Sequence, residues 1–229
     1  SYKIRKMESN LVDYLSQFAH ENRAALFNEK IQERTNYVTL VLEDIYHAQN
    51  TSAAIRTCDC FGIQKMHVIE NRNEFNLHTG ITLGSANWID IERHNKEENN
   101  TRTALQKLKK EGYKIVATTP LPNTKSLYDM ELDKPIALVL GNEANGISNI
   151  VKEEADEFIT IPMHGFTESF NISVSAAICL SELTTRMRKT DVNWKLNESE
   201  HERVMLKWLK QSIKKGDKIA EEFEAKQKL

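Results

Sequence analysis

Three short stretches of this chain concentrate side chains that can hold, orient or polarise reacting groups. In the first, Asn50-Thr51-Ser52-Ala53-Ala54-Ile55-Arg56, an amide precedes a guanidinium on what reads as one helix. Asn50 suits its cap and Arg56 falls on its second turn. A guanidinium placed there can reach the C-terminal rim of a sheet, where α/β sites gather. A solvent-facing helical arginine is the plainer alternative. In the second, Gly141-Asn142-Glu143-Ala144-Asn145-Gly146, a carboxylate stands between glycines that let backbone approach a ligand closely. An ordinary turn on Asn145-Gly146 has the same signature. The third runs from Ile161-Pro162-Met163 to Ser169-Phe170-Asn171-Ile172-Ser173 and on into Ser175, Ala176 and Ala177. Simple capping is the plain reading of its serines and asparagine, but the density of small and polar residues exceeds what a cap requires, and the small ones imply that something packs closely on the helix they begin.

All three stretches sit where strands end or helices begin. Tyr37 to Leu42, Lys65 to Glu70, Trp88 to Arg93, Lys114 to Thr118, Ile136 to Leu140 and Phe158 to Ile161 read as strands, several of them continuous apolar runs typical of a sheet buried on both faces. Helices are expected near 9–30, 51–61, 101–111, 147–153 and 171–189. Strands alternating with helices predict an α/β fold with a mostly parallel sheet and helices on both faces. We expect an N-terminal helical extension over 1–36, one α/β domain over 37–190, and a Glu- and Lys-rich helical extension over 191–229.

The commonest α/β cofactor signatures are missing. There is no G-x-G-x-x-G after a strand, no phosphate-binding G-x-x-x-x-G-K-[ST], and no G-x-S-x-G elbow. No His or Cys spacing suits a metal, so none is expected. The three cysteines, Cys58, Cys60 and Cys179, read as reduced thiols, and with no secretory signal or membrane span in view the expected location is the cytoplasm. Charge is nearly balanced, at −2. A nucleic-acid partner would therefore have to meet local basic clusters such as Lys3/Arg5/Lys6, Lys107/Lys109/Lys110 and Arg186/Arg188/Lys189; such runs are more often solvated helix faces.

Taken together, Asn-x-x-Ala-x-x-Arg at 50–56, Leu-Gly-Asn-Glu-x-x-Gly at 140–146, and Ile-Pro-Met-x-Gly with Ser-Phe-Asn-x-Ser-Val-Ser-x-Ala at 161–177 resemble the signature motifs of the TrmH branch of the SPOUT RNA methyltransferases. The resemblance covers most of residues 37–188. It implies a C-terminal trefoil knot whose loops bind S-adenosyl-L-methionine, with contacts at Thr118, Gly141, Ile161 and Phe170. The implied reaction is methyl transfer to a ribose 2′-hydroxyl. Arg56 matches the family arginine proposed as general base, with Asn50, Glu143, Ser169 and Asn171 as the accompanying polar positions. Because arginine gives up its proton only above about pH 12, an electrostatic clamp on phosphate and developing alkoxide is the alternative role.

The resemblance also implies a homodimer with the site near the subunit interface. Arg186 and Arg188 resemble family arginines that contact tRNA phosphate. The expected substrate is tRNA, at the D-loop guanosine 18, since only about 35 residues precede the first strand and the tail resembles the extensions of tRNA members. A ribosomal RNA methyltransferase of the same branch, or a silent RNA-binding module, are the alternatives.

Overall fold

In the computed structural model, residues 10–121 and 124–227 are described; the cluster Lys3, Arg5 and Lys6 lies outside them. Elements in chain order are helix α1 (10–16), α2 (Glu21–Ile31), strand β1 (Val38–Glu43), α3 (Ala48–Cys60), β2 (Lys65–Ile69), α4 (Thr79–Thr82), β3 (Asp90–His94), α5 (Asn100–Lys110), β4 (Lys114–Thr118), β5 (Lys125–Ser126), β6 (Ile136–Leu140), α6 (Asn149–Glu154), β7 (Glu157–Thr160), α7 (Ile172–Met187), α8 (Glu198–Ser212) and α9 (Gly216–Lys226). They fall into two units, Thr35–Trp194 and a second formed by the residues up to Arg34 with those from Lys195 onward.

The larger unit is built on a seven-stranded sheet of order β3-β2-β1-β6-β4-β7-β5. Every pairing is parallel. The parallel α/β class expected from the alternating pattern is what the chain forms. β1 and β6 are buried at every position because both faces of the sheet are covered. One core layer places Leu40, Leu42 and Leu138 against Ala54, Ile55 and Cys58 of α3 and Ala176, Leu180 and Leu183 of α7. The other sets Val41, Ile115 and Val139 against Leu105 and Leu108 of α5 and Val151 of α6. The order departs from the sequence: β6 inserts between β1 and β4, and β7 lies beyond β4. The ends of β6, β4 and β7 therefore become neighbours.

Glu43 ends β1 and is 3% exposed. Its carboxylate accepts bonds from the Thr101 hydroxyl (2.7 Å), the Ser148 hydroxyl (2.6 Å) and the Ser148 N–H (3.0 Å), so the starts of α5 and α6 are tied to the central strand.

In the smaller unit, α2 buries Phe27 and Ile31, while α8 buries Val204, Met205, Trp208 and Leu209. The Phe27 and Trp208 rings meet at 5.4 Å, and the Arg34 guanidinium lies over Trp208. The single helix expected over 9–30 is instead two, separated at 17–20.

Candidate functional site

α3 begins earlier than its sequence suggests. His47 occupies the extended position before it, and the N–H groups of Tyr46 and His47 donate to the Glu143 carboxylate at 3.0 and 3.2 Å. A carboxylate reaching in from the loop after β6 thus satisfies donors at a helix start, where negative charge is favoured. Asn50 is consequently inside the helix and does not cap it. Arg56 moves to the third turn, exposed, and is not among the residues lining the cavity described below. The second-turn position expected for it is corrected accordingly. At about 100° per residue, Asn50 and Arg56 point some 120° apart around the helix.

Freed from capping, Asn50 links distant segments. Its Nδ2 donates to Glu143 Oε1 at 2.8 Å, across 93 residues, and its Oδ1 accepts from Asn171 Nδ2 at 3.0 Å, across 121 residues. Asn171 caps α7, with Oδ1 accepting from the Ser173 N–H (2.8 Å) and hydroxyl (2.6 Å). The orientations are forced in order: the cap requires the Asn171 oxygen inward, so its amide nitrogen faces Asn50, whose own nitrogen must face the carboxylate. Burial pushes the Glu143 carboxyl up, but the hydrogen bonds from Tyr46, Asn50 and His47 together outweigh it and leave it below the usual carboxylate value.

The loop carrying Glu143 is tight. Asn142 and Gly146 exchange backbone hydrogen bonds at 3.0 and 2.8 Å, and Gly146 has φ +65°. A Cβ on Gly141 would lie 2.2 Å from the Gly146 carbonyl carbon, so only glycine fits there. Asn142 Nδ2 donates to the Asp44 carbonyl at 2.7 Å, fastening the loop to the end of β1.

A cavity of about 690 Å³ opens where the ends of β4, β6 and β7 converge. Asn50, Thr118, Gly141, Glu143, Ile161, Ser169, Phe170 and Asn171 all line it. So do Leu140, Met163, Ile172 and Ser175, which lie within the motifs quoted above, and Thr119 and Lys152, which the sequence reading missed. The one signal for Thr119 was its position just beyond the end of β4; Lys152, inside α6, carried none. Arg186 and Arg188 are elsewhere. Arg186 donates to the carbonyls of Met130 (2.6 Å) and Leu127 (3.5 Å). Arg188 donates to those of Thr184 and Phe61 and lies over Trp194. Both guanidinium groups are engaged in packing within the domain.

One trio brings metal-ligating atom types together among the described residues: His67, Glu92 and His94, within 4.8 Å of one another. Sequence spacing concealed it, because β2 and β3 place His67 opposite Glu92. Its atoms already have partners. His67 Nδ1 and His94 Nε2 are 3.0 Å apart, and Glu92 is held by Lys107 and Lys65.

A model described as the SpoU rRNA Methylase family matches residues 37–181. A protein of Borreliella burgdorferi named tRNA (guanosine(18)-2′-O)-methyltransferase is 39% identical over 89% of this chain and 91% of its own length. The crystal structure of an A. aeolicus TrmH/SpoU tRNA modifying enzyme superposes with a TM-score of 0.74 at 30% identity, covering 83% of this chain and 96% of that one. An AdoMet-bound rRNA methyltransferase from Sinorhizobium meliloti, 24% identical over 69% of this chain and 59% of that one, has the same fold at a TM-score of 0.58.

Proposed function

The chain belongs to the SpoU rRNA methylase family, and on that premise we propose that it is an S-adenosylmethionine-dependent ribose 2′-O-methyltransferase acting on guanosine 18 of the tRNA D-loop. The observation that carries the reading is the Glu143–Asn50–Asn171 chain of hydrogen bonds at the mouth of one cavity. Relatives bearing the tRNA guanosine-18 name align over nearly the whole chain.

The cavity suits the cofactor chemically. Leu140, Ile161, Phe170 and Ile172 offer apolar walls that would hold an adenosyl group, Thr118 and Thr119 offer polar edges, and Glu143 adds to the lining a negative charge that would favour a sulfonium. When bound, the cofactor supplies an electrophilic methyl group. This chain's residues then have three tasks. Glu143 holds the start of α3 and, through Asn50 and Asn171, the start of α7, so the loops flanking the cavity keep one geometry. Ser169 stands at the cavity wall to orient the ribose. Arg56 neutralises charge at the attacking oxygen and adjacent phosphate.

That last role is where the proposal extends to a homodimer. Arg56 is exposed and does not line its own protomer's cavity. Phe170 and Leu121, which line the cavity, and Phe166 and Val174, in the loop and helix that follow β7, leave apolar surface exposed, as a subunit interface would use. A partner's Arg56 would complete each site. The β6–β4–β7 crossover order supports the further proposal that the C-terminal part of the sheet is threaded as a trefoil knot, and the cytoplasm is the proposed location.

The test is to incubate the protein with methyl-labelled S-adenosylmethionine and, separately, total tRNA and ribosomal RNA, then map the labelled nucleotide. Label at D-loop guanosine 18 is expected. Label confined to ribosomal RNA would replace the substrate, and no transfer to any RNA would remove the activity.

A further inference from the structure

The Asn142–Gly146 loop has two sides. One faces the cofactor cavity; the other walls a second cavity of about 910 Å³, completed by Tyr46, Asn71, Arg72, Asn73, Glu98 and Asn99. Its base is rigid. Asp44, at φ 53°, accepts three successive N–H groups from Asn71, Arg72 and Asn73 at 3.0, 2.7 and 2.9 Å. The Arg72 side chain is left exposed above this turn, and no described residue gives its guanidinium an ion pair or hydrogen bond.

Beside His47, which lines both cavities, Tyr46 lines the second. It is 70% exposed, unusual for a residue of that size on a fixed backbone. It is not loosely held. Its N–H is bound to Glu143, and its ring meets the His47 ring edge to face at 4.8 Å and 79°. An anchored, exposed aromatic ring, a free guanidinium and the polar side chains of Glu98, Asn99 and Asn145 are the components that recognise a nucleotide: a stacking face, a phosphate partner, and donors and acceptors for a base edge.

We infer that this second cavity receives a nucleotide of the substrate RNA next to the ribose being methylated, its base stacked on Tyr46 and its phosphate on Arg72. The inference rests on the RNA-methyltransferase reading above. The strand would cross the ridge formed by His47 and Ala144, which line both cavities, with the methyl-accepting ribose on the cofactor side. Binding energy gathered on one side of the ridge would then position the hydroxyl on the other.

Steady-state methylation of tRNA by three variants tests this. Tyr46→Ala keeps the backbone N–H that Glu143 uses but removes the ring; KM for tRNA should rise about tenfold, the cost of one lost stacking contact. Tyr46→Phe, which keeps the face, should stay within about twofold of the parent. Arg72→Gln should lower the slope of log Kd for tRNA against log salt by about one. Calorimetric affinity for S-adenosylmethionine should be the same in all three. A Tyr46→Ala variant with the parent's KM for tRNA, or with an equal loss of S-adenosylmethionine affinity, would overturn the inference. So would tight binding of guanosine monophosphate alone, which would mark a free-nucleotide site. If the parent methylates no RNA, the activity proposed above falls; the stacking contact is then judged by the same variants' Kd for tRNA, and a parent that binds no tRNA overturns both.

Discussion

Arg56 carries the charge-neutralising role proposed above, and its chemistry bears on what form that role can take. As a proton acceptor it is poorly suited, since a guanidinium is protonated throughout the working pH range. As a fixed positive charge it is well suited, because it needs no reorganisation when the 2′-oxygen develops charge. Its exposure on α3, among the weakly buried Ala53 and Thr57, leaves it free to approach substrate. Replacing it by alanine should lower kcat by about two to three orders of magnitude with S-adenosylmethionine binding retained. Arg56→Lys decides the role: lysine preserves charge and loses the planar fork. A lysine variant retaining a tenth or so of the parent rate indicates a clamp, whereas one as dead as alanine indicates that the fork itself is required. Alanine with full activity would remove Arg56 from the mechanism.

At the scale of elements, much was legible and the exceptions have physical causes. β4 and β6 lie where their runs predicted, because a strand buried on both faces writes itself as continuous apolar sequence. α3 was misplaced because Asn50 looks like a cap, while the actual start is stabilised by Glu143, from a loop no local pattern could connect to it. β5 escaped notice since two residues carry no periodicity. The motif loops were readable one by one, but their convergence depends on β6 and β7 flanking β4, which is set by pairing rather than by sequence order. Arg186 and Arg188 read as surface charge, yet they satisfy backbone carbonyls of remote turns. The β2–β3 edge has a measurable consequence of the same kind. The His67 side chain is wholly buried, and burial pushes its pKa well below 6.5; Glu92 opposes the shift, while His94, Lys65 and Lys107 add to it. The folded state therefore refuses a proton that the unfolded chain takes up below about pH 6.5. Stability from this group is fully present above that pH and is lost on acidification, at about 1.4 kcal/mol per pH unit. His94 shifts the same way, so some slope will remain without His67. Urea unfolding of His67→Gln should show a fall in stability between pH 7 and 5.5 that is smaller than the parent's by about 1 kcal/mol. An unchanged fall would mean that His67 protonates inside the fold.

For the whole molecule, the arginine proposed to act at the cavity is not among the residues that line it. Glu143, Asn50 and Asn171 line the cavity, and Arg56 faces outward from α3. Charge balance sharpens the problem: the net charge is −2, and Lys107 and Lys109 are paired with Glu92, Glu154 and Asp156. Within one chain the lining of the cavity brings Lys152 but no guanidinium to the methyl-transfer point. A two-fold dimer resolves this, since a self-complementary interface brings each Arg56 to the other protomer's cavity at no cost in sequence. If sites are shared in this way, two dead variants can repair each other. Arg56→Ala retains an intact cavity, and Glu143→Gln retains the arginine while placing an amide where three donors already point. Each alone should be inactive. Mixed, unfolded and refolded together, they should recover about a quarter of the parent activity: half the dimers are mixed, and each mixed dimer holds one site with both groups intact and one with neither. Sites built within one protomer would recover nothing, because no chain in the mixture carries both residues. Sedimentation of the refolded mixture confirms that dimers formed, so the absence of recovery in a dimeric sample would place Arg56 with the cavity of its own chain.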